Sequence, residues 1–348
     1  MRQALACILL LLAAAGRAAD VGELVPWLDS ISAEDLRAQV EQLPSPSATD
    51  DQGRTLLHHA VCEAPARVDL LLELGVDATR ADNRNATPLH RFFRCDHPAD
   101  AAHLEDVVPA LLNAGASPDA ADARGRTPVH AAIAALPAEG ERINLYRDAA
   151  ALMIAVGADV TARDAAGRTP LHQAARHNAD PLIDWLVNAG AAVNATDDPG
   201  RTPLWYAAAG RDNTSVFEAL LRHGADATSA PEGAPTPVQR AAADAAWHKV
   251  YLLLELEVEA DLPEADATRT LARALWEDAA LPVARSLTRA GAVPAKLHDQ
   301  GGGDLAWRLA ELRRPETLDW LLESGFELNR LPESGYPPLF FATEGATE

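Results

Sequence analysis

Gly167-Arg168-Thr169-Pro170-Leu171-His172-Gln173-Ala174-Ala175 decides the fold, because its core phrase keeps returning. Thr87-Pro88-Leu89-His90, Thr127-Pro128-Val129-His130, Thr202-Pro203-Leu204-Trp205 and Thr236-Pro237-Val238-Gln239 are copies, and Thr55-Leu56-Leu57-His58 opens the series without its proline. Each copy leads to a Leu-Leu-x-x-Gly-Ala/Val phrase, as in Leu111-Leu112-Asn113-Ala114-Gly115-Ala116 and Leu220-Leu221-Arg222-His223-Gly224-Ala225. Self-similarity at a short, near-constant period marks an array of stacked units.

One unit reads as helix, turn, helix, turn. Thr169 suits a helix N-cap and Pro170 the first helical position, where no backbone donor is required. Leu171, Ala174 and Ala175 share a face, and the alanines allow close approach. Leu182 to Val187 carries the spacing of a second, half-buried helix. Gly190 falls where a helix end wants a left-handed residue, and Asp197 with Gly200 forms the turn into the next Thr-Pro. A single unit cannot bury its apolar face, so neighbours must stack.

The phrase and its partner resemble the ankyrin repeat, whose period is about 33 residues. The resemblance covers roughly residues 50 to 342 and is strongest from Arg84 to Asp226. It implies an all-α ankyrin-repeat solenoid of stacked helix-turn-helix units with short hairpin turns, about eight units plus a partial ninth. A seventh unit, near Arg269 to Ala292, keeps Leu271 and Gly291-Ala292 without the Thr-Pro. An eighth keeps Leu321-Leu322-Glu323-Ser324-Gly325, and Gly335 to Phe340 is half of a ninth. The resemblance also gives His58, His90, His130 and His172 a structural role, hydrogen-bonding within and between repeats. A catalytic histidine has no reason to recur in each unit.

Outside the repeats, residues 1–18 read as a signal peptide: Arg2, the apolar run Ala4 to Ala15, then Gly16-Arg17-Ala18. The run is short for a membrane span, which needs about 20 residues. Lysine is confined to Lys249 and Lys296. With the alanine and arginine bias this points to a GC-rich bacterium, and the expected destination is the periplasm or the medium. Residues 19–49 form an expected N-terminal helical cap, from Leu24, Trp27, Leu28, Ile31, Leu36 and Val40, ended by Pro44-Ser45-Pro46. Residues 50–348 form the repeat domain, degenerate after about residue 267.

The formal net charge of −21 argues against nucleic acid or an anionic membrane as partner. The sequence holds no nucleophile elbow, paired-carboxylate motif, zinc-ligand spacing or convincing phosphate loop, so no enzyme, metal or cofactor is expected. The charge is unevenly laid out. The resemblance assigns the concave groove to the hairpin tips and to the outward residues of each first helix. Those positions hold Arg84, Arg91, Arg94, Arg124, Arg168, Gln173, Arg176, Arg201, Tyr206 and Arg240, with Arg126 and His59 beside them. Asp69, Glu73, Glu105, Asp106, Asp148 and Asp184 sit on second helices instead. Arginine with tyrosine is a hot-spot composition. Against this, Asp82, Asp122, Asp164 and Asp197 lie in the same tips, and pairing with them contributes only about 0 to 1 kcal/mol when exposed. The units opened by Thr87 and Thr127 carry extra residues between their helices, around Asp96 to Ala101 and Pro137 to Glu141, a second place for recognition.

Cys62 and Cys95 are 33 residues apart, in matched phrases Cys62-Glu63-Ala64-Pro65 and Cys95-Asp96-His97-Pro98. In an exported protein they are a disulfide candidate. Packed helices lie about 8 to 10 Å apart and a disulfide needs Cα atoms within about 7 Å, a gap that Cys95's shift toward the longer loop can close. Two buried free thiols are the alternative. The function expected is non-catalytic recognition of a protein partner by a monomer. Immunity against a toxic enzyme and action on host proteins are its two narrower forms.

Overall fold

The computed structural model describes residues 20–95, 104–136, 142–210, 214–255, 264–276, 281–300, 305 and 314–326. Among these, 17 α-helices and three 3-10 helices occur and no strand. They fall into two compact units, Met1–Asp198 and Pro199–Glu348. The signal segment, both inter-helix insertions from residue 96 onward, and the half-unit at Gly335 to Phe340 lie outside the described residues.

The first unit opens with α1 (Val21–Leu24), a 3-10 turn (Val25–Trp27) and α2 (Ala33–Gln42). Asp20 and Glu23 form a capping box on α1, and Ser32 caps α2. Leu24, Leu28, Ile31, Leu36 and Val40 are buried, while Trp27 is half-buried. Two bonds tie this segment to the first repeat: Arg67 Nη2 to Ile31 O at 2.6 Å and Arg37 to Glu73 at 3.0 Å.

Four helix pairs follow: α3 (Leu56–Glu63) with α4 (Val68–Glu73), α5 (Pro88–Phe92) with α6 (Leu104–Asn113), α7 (Pro128–Ala134) with α8 (Arg142–Ala155), and α9 (Pro170–Arg176) with α10 (Asp180–Asn188). First helices pack on first helices and second on second. The second unit repeats the plan with α11 (Pro203–Ala207) and α12 (Thr214–Arg222), α13 (Pro237–Ala243) and α14 (Trp247–Glu255), α15 (Glu264–Trp276) and α16 (Leu281–Arg289), then α17 (Pro315–Glu323). The expected ankyrin-repeat solenoid is the fold observed. Where the Thr-Pro is lost, Thr268 at α15 still accepts a hydrogen bond from Val293 N–H at 3.0 Å.

The Thr-Pro-Leu-His phrase works as a capping box with histidine in the place of glutamate. Thr55 N–H donates to His58 Nδ1 at 3.1 Å, and the same box recurs at Thr87/His90, Thr127/His130 and Thr169/His172. The other ring nitrogen leaves the repeat. Nε2 reaches Ala86 O from His58 (3.0 Å), Arg126 O from His90 (2.8 Å) and Arg168 O from His130 (3.0 Å). A carbonyl only accepts, so the network assigns the neutral Nε2–H tautomer. Each imidazole therefore fixes its own helix start and the turn of the next repeat.

The turns are stitched as well. Asn83 N–H donates to Gln52 O, Ala123 N–H to Arg84 O, Ala165 N–H to Arg124 O and Asp198 N–H to Ala166 O, at 2.8 to 3.1 Å. Gly167, with φ of 73°, is where this close approach demands glycine, since an added Cβ would come within 2.7 Å of Asp198 N.

Candidate protein-binding face

Each tip is organised by an aspartate. Asp122 Oδ1 accepts from Arg124 N–H (2.8 Å) and Arg126 N–H (3.0 Å), and its Oδ2 from the Arg126 guanidinium (3.1 and 2.9 Å). Asp164 does the same with Ala166, Arg168 and the Arg168 guanidinium, and Asp50 with Gln52, Arg54 and the Arg54 guanidinium. Asp82 has the two backbone bonds to Arg84 and Ala86, but alanine stands where its arginine belongs. Burial would raise Asp122, yet the N–H groups of Arg126 and Arg124 with the Arg126 guanidinium hold it down at about 2. Asp50 is likewise held at about 2: burial opposes, while the Arg54 N–H, His59 and the Arg54 guanidinium prevail.

This divides the arginines expected in the groove. Arg168 is bound to Asp164, with 2.7 Å between Nη2 and Oδ2. Arg94 reaches across to Asp122 of the next tip, a second guanidinium on that carboxylate. Both serve the scaffold. Gln173 is buried at 4% exposure, its amide 3.4 Å from Asp164, and presents no surface. By contrast Arg84, Arg91, Arg124 and Arg176 have guanidiniums with no hydrogen bond or ion pair among the described residues. Arg84, Arg124 and Arg176 are exposed and Arg91 half-exposed. Arg84 and Arg124 occupy the same position in successive tips, joined by the Ala123 N–H to Arg84 O bond.

His59, the first-helix neighbour of the capping histidine, is also buried and lies 3.0 Å from Asp50 Oδ2. The exposed carboxylates Asp69, Glu73, Glu105, Asp106 and Asp148 stand on α4, α6 and α8, as the charge layout predicts. In the second unit Arg201, Tyr206 and Arg240 come together around Trp205, a residue the motif reading passes over because it sees there only a lost histidine. Cys62, on α3, and Cys95, just past α5, are joined by a disulfide with Cα atoms 5.4 Å apart. No group of three or more metal-ligating side chains occurs among the described residues.

Residues 142–231 match the family described as ankyrin repeats (3 copies), and residues 306–346 the one described as ankyrin repeats (many copies). A similar solved structure is the ankyrin repeat domain of Bcl-3, a unique member of the IkappaB protein family, at 24% identity and a TM-score of 0.49, covering 62% of this chain and 92% of that one. The two matched segments show that the chain contains ankyrin repeats, and the histidine capping boxes and stitched tips show how its described repeats are held together.

Proposed function

We propose that the chain is a non-catalytic protein-recognition module, exported by its N-terminal segment and working in the bacterial periplasm or outside the cell. The observation that carries the recognition reading is the division of the tip and helix arginines. Those needed by the turns are neutralised by aspartate, while Arg84, Arg91, Arg124 and Arg176 have guanidiniums with no partner among the described residues, at surface positions of the stack. Arginine is favoured at the energetic centre of protein interfaces, and a pre-ordered surface loses little entropy on binding. The export reading is supported by Arg2, the apolar run from Ala4 and the small residues at Gly16 and Ala18, and a disulfide suits an oxidising compartment.

Affinity capture from periplasmic extract tests the module, with wild-type chain beside a variant carrying Glu at Arg84, Arg91, Arg124 and Arg176. Arg94 is left alone because its reversal would break the Asp122 turn. A partner held by wild type and lost from an equally stable variant is the expected result. A partner kept by both moves recognition to the insertions or the second-helix face.

A further inference from the structure

Successive tips of the first unit hold one residue in the same pinned position. Gln52, Arg84, Arg124 and Ala166 each donate a backbone N–H to the aspartate two residues before, at 2.8 to 2.9 Å. Each carbonyl accepts an N–H from the next tip, given in turn by Asn83, Ala123, Ala165 and Asp198, at 2.8 to 3.1 Å. The backbone is thus held on both sides at every position of this row, and only the side chains differ. Neutral residues stand at its ends, Gln52 and Ala166, and arginine at both middle positions.

Both arginines are exposed, and neither guanidinium has a hydrogen bond or ion pair among the described residues. The carboxylates of their own tips are engaged elsewhere. Asp122 binds the Arg126 and Arg94 guanidiniums. Asp82, half-buried, accepts the backbone N–H groups of Arg84 and Ala86 on Oδ1. Each aspartate therefore holds the root of its arginine and not the fork. The first helices of the two repeats, α5 and α7, pack on each other, which puts about 8 to 10 Å between equivalent positions. That is close to a Debye length in about 0.1 M salt, so the two charges repel each other weakly and act as separate contacts.

Building on the reading of the chain as a recognition module, we propose that Arg84 and Arg124 are paired seats for two carboxylates of one partner segment, three residues apart in an extended, polyproline-like chain. Such a chain turns once in three residues and rises about 3.1 Å per residue, so carboxylates at i and i+3 lie on one side about 9 Å apart. A β-strand offers same-side positions at about 7 or 13 Å, and a helix comes near the step only at i and i+7. The guanidinium fork matches a carboxylate with two donors. The pinned tips and an already extended segment both lose little freedom on binding. Gln52 and Ala166 limit the row to two charged seats. A polyanion longer than the row runs onto a chain of net charge −21, whereas a short acidic segment meets the row alone.

The test uses two end-blocked peptides of equal composition in one Gly-Ser frame, Glu-Pro-Pro-Glu and Glu-Glu-Pro-Pro. A helical peptide with glutamates at i and i+7 and a thymidine oligonucleotide stand beside them. All are titrated at low salt against the full chain, followed by NMR, with thermal melts as the folding control. Wild type is expected to bind the spaced peptide about three- to fivefold tighter than the adjacent one, the effect of a second exposed ion pair. Arg84→Gln or Arg124→Gln alone should erase that preference, because one seat cannot read a spacing. Ala166→Arg adds a seat at the end of the row, and a peptide with a third glutamate in the same spacing should then bind about threefold tighter than to wild type. Equal binding of the two peptides by wild type, a preference for the helical peptide or the oligonucleotide, a preference that survives Arg84→Gln, or no gain from Ala166→Arg overturns the paired seats. Failure of every peptide to bind wild type overturns them as well. If the seats fail but Arg91→Glu with Arg176→Glu abolishes capture of a partner, the recognition module stands on the helix arginines. If the captured partner also survives all four reversals, the arginine face falls with the seats.

Discussion

His58 shows how much one buried side chain carries. Burial first drives its imidazole down from 6.5 to about 4, against the pull of the Ala86 carbonyl and nearby carboxylates, and His90 and His130 move the same way. A folded pKa below the unfolded one means the folded state binds fewer protons between the two. The stabilisation from neutral His58 is therefore complete above 6.5 and drains away as pH falls toward 4. Asp50 and Asp122 behave in the lower window, losing their contribution only between 3.8 and about 2. The chain supplies its own control residue, since Gln239 forms the same capping box with Thr236 (2.9 Å) without a titratable ring. Between pH 7.5 and 4.5, wild type should lose roughly 2 kcal/mol more than His58→Gln in urea unfolding. Equal losses would mean that His58 is protonated without cost. Lys249 is a second such residue. It is 1% exposed, and its ammonium donates to the carbonyls of Ala207, Ala209 and Gly210 at 2.8, 3.3 and 2.8 Å, closing the end of α11. Lys249→Met orphans those carbonyls and should cost about 1 to 3 kcal/mol by the same assay. An unchanged midpoint would show water replacing the ammonium.

At the scale of the helix pair, the sequence is legible wherever a backbone requirement selects the residue. Thr before Pro, Gly after the second helix and Gly in the tip each answer a fixed φ or an orphan N–H, so they recur and can be read. Side-chain partners are legible only where the spacing is rigid. Asp122 and Arg126, four apart across one turn, pair as the tip composition suggests, whereas Arg94 reaching the next repeat's Asp122 depends on stacking distance. Nothing local in Leu204-Trp205-Tyr206 announces that an indole keeps the histidine's bond to the following turn, and Lys249 reads as an ordinary polar helix position. The Cys62–Cys95 bridge lies between these cases: the spacing proposes it, and the 5.4 Å Cα separation allows it. It closes a loop with a sequence separation of 33 residues, which on the chain-entropy model stabilises by about 3 to 4 kcal/mol. Reductant should lower the urea midpoint of wild type accordingly and leave a Cys62→Ala, Cys95→Ala variant unmoved. A wild type indifferent to reductant would show that the cross-link does not constrain the unfolded chain.

For the whole molecule, the governing quantity is the contrast between a net charge of −21 and a few exposed arginines, Arg84, Arg124 and Arg176, whose guanidiniums have no partner among the described residues. Beyond a Debye length, about 10 Å at 0.1 M salt, an approaching partner senses mainly the total. Inside that distance it senses the exposed Arg84, Arg124 and Arg176. An acidic partner is thus repelled at long range and held at short range. Salt should therefore act oppositely on the two rate constants. Raising ionic strength from about 10 to about 150 mM screens the long-range repulsion and should increase the association rate, the reverse of ordinary electrostatic steering. The same salt weakens the arginine contacts and should increase the dissociation rate. Stopped-flow measurement with the captured partner, wild type beside a variant with Arg84→Gln and Arg124→Gln, separates the two effects, since the substitutions should change dissociation far more than association. An association rate that falls with salt would identify a basic partner seated on the acidic faces around Asp69, Glu73 and Glu105, and would remove the arginines from the account of binding.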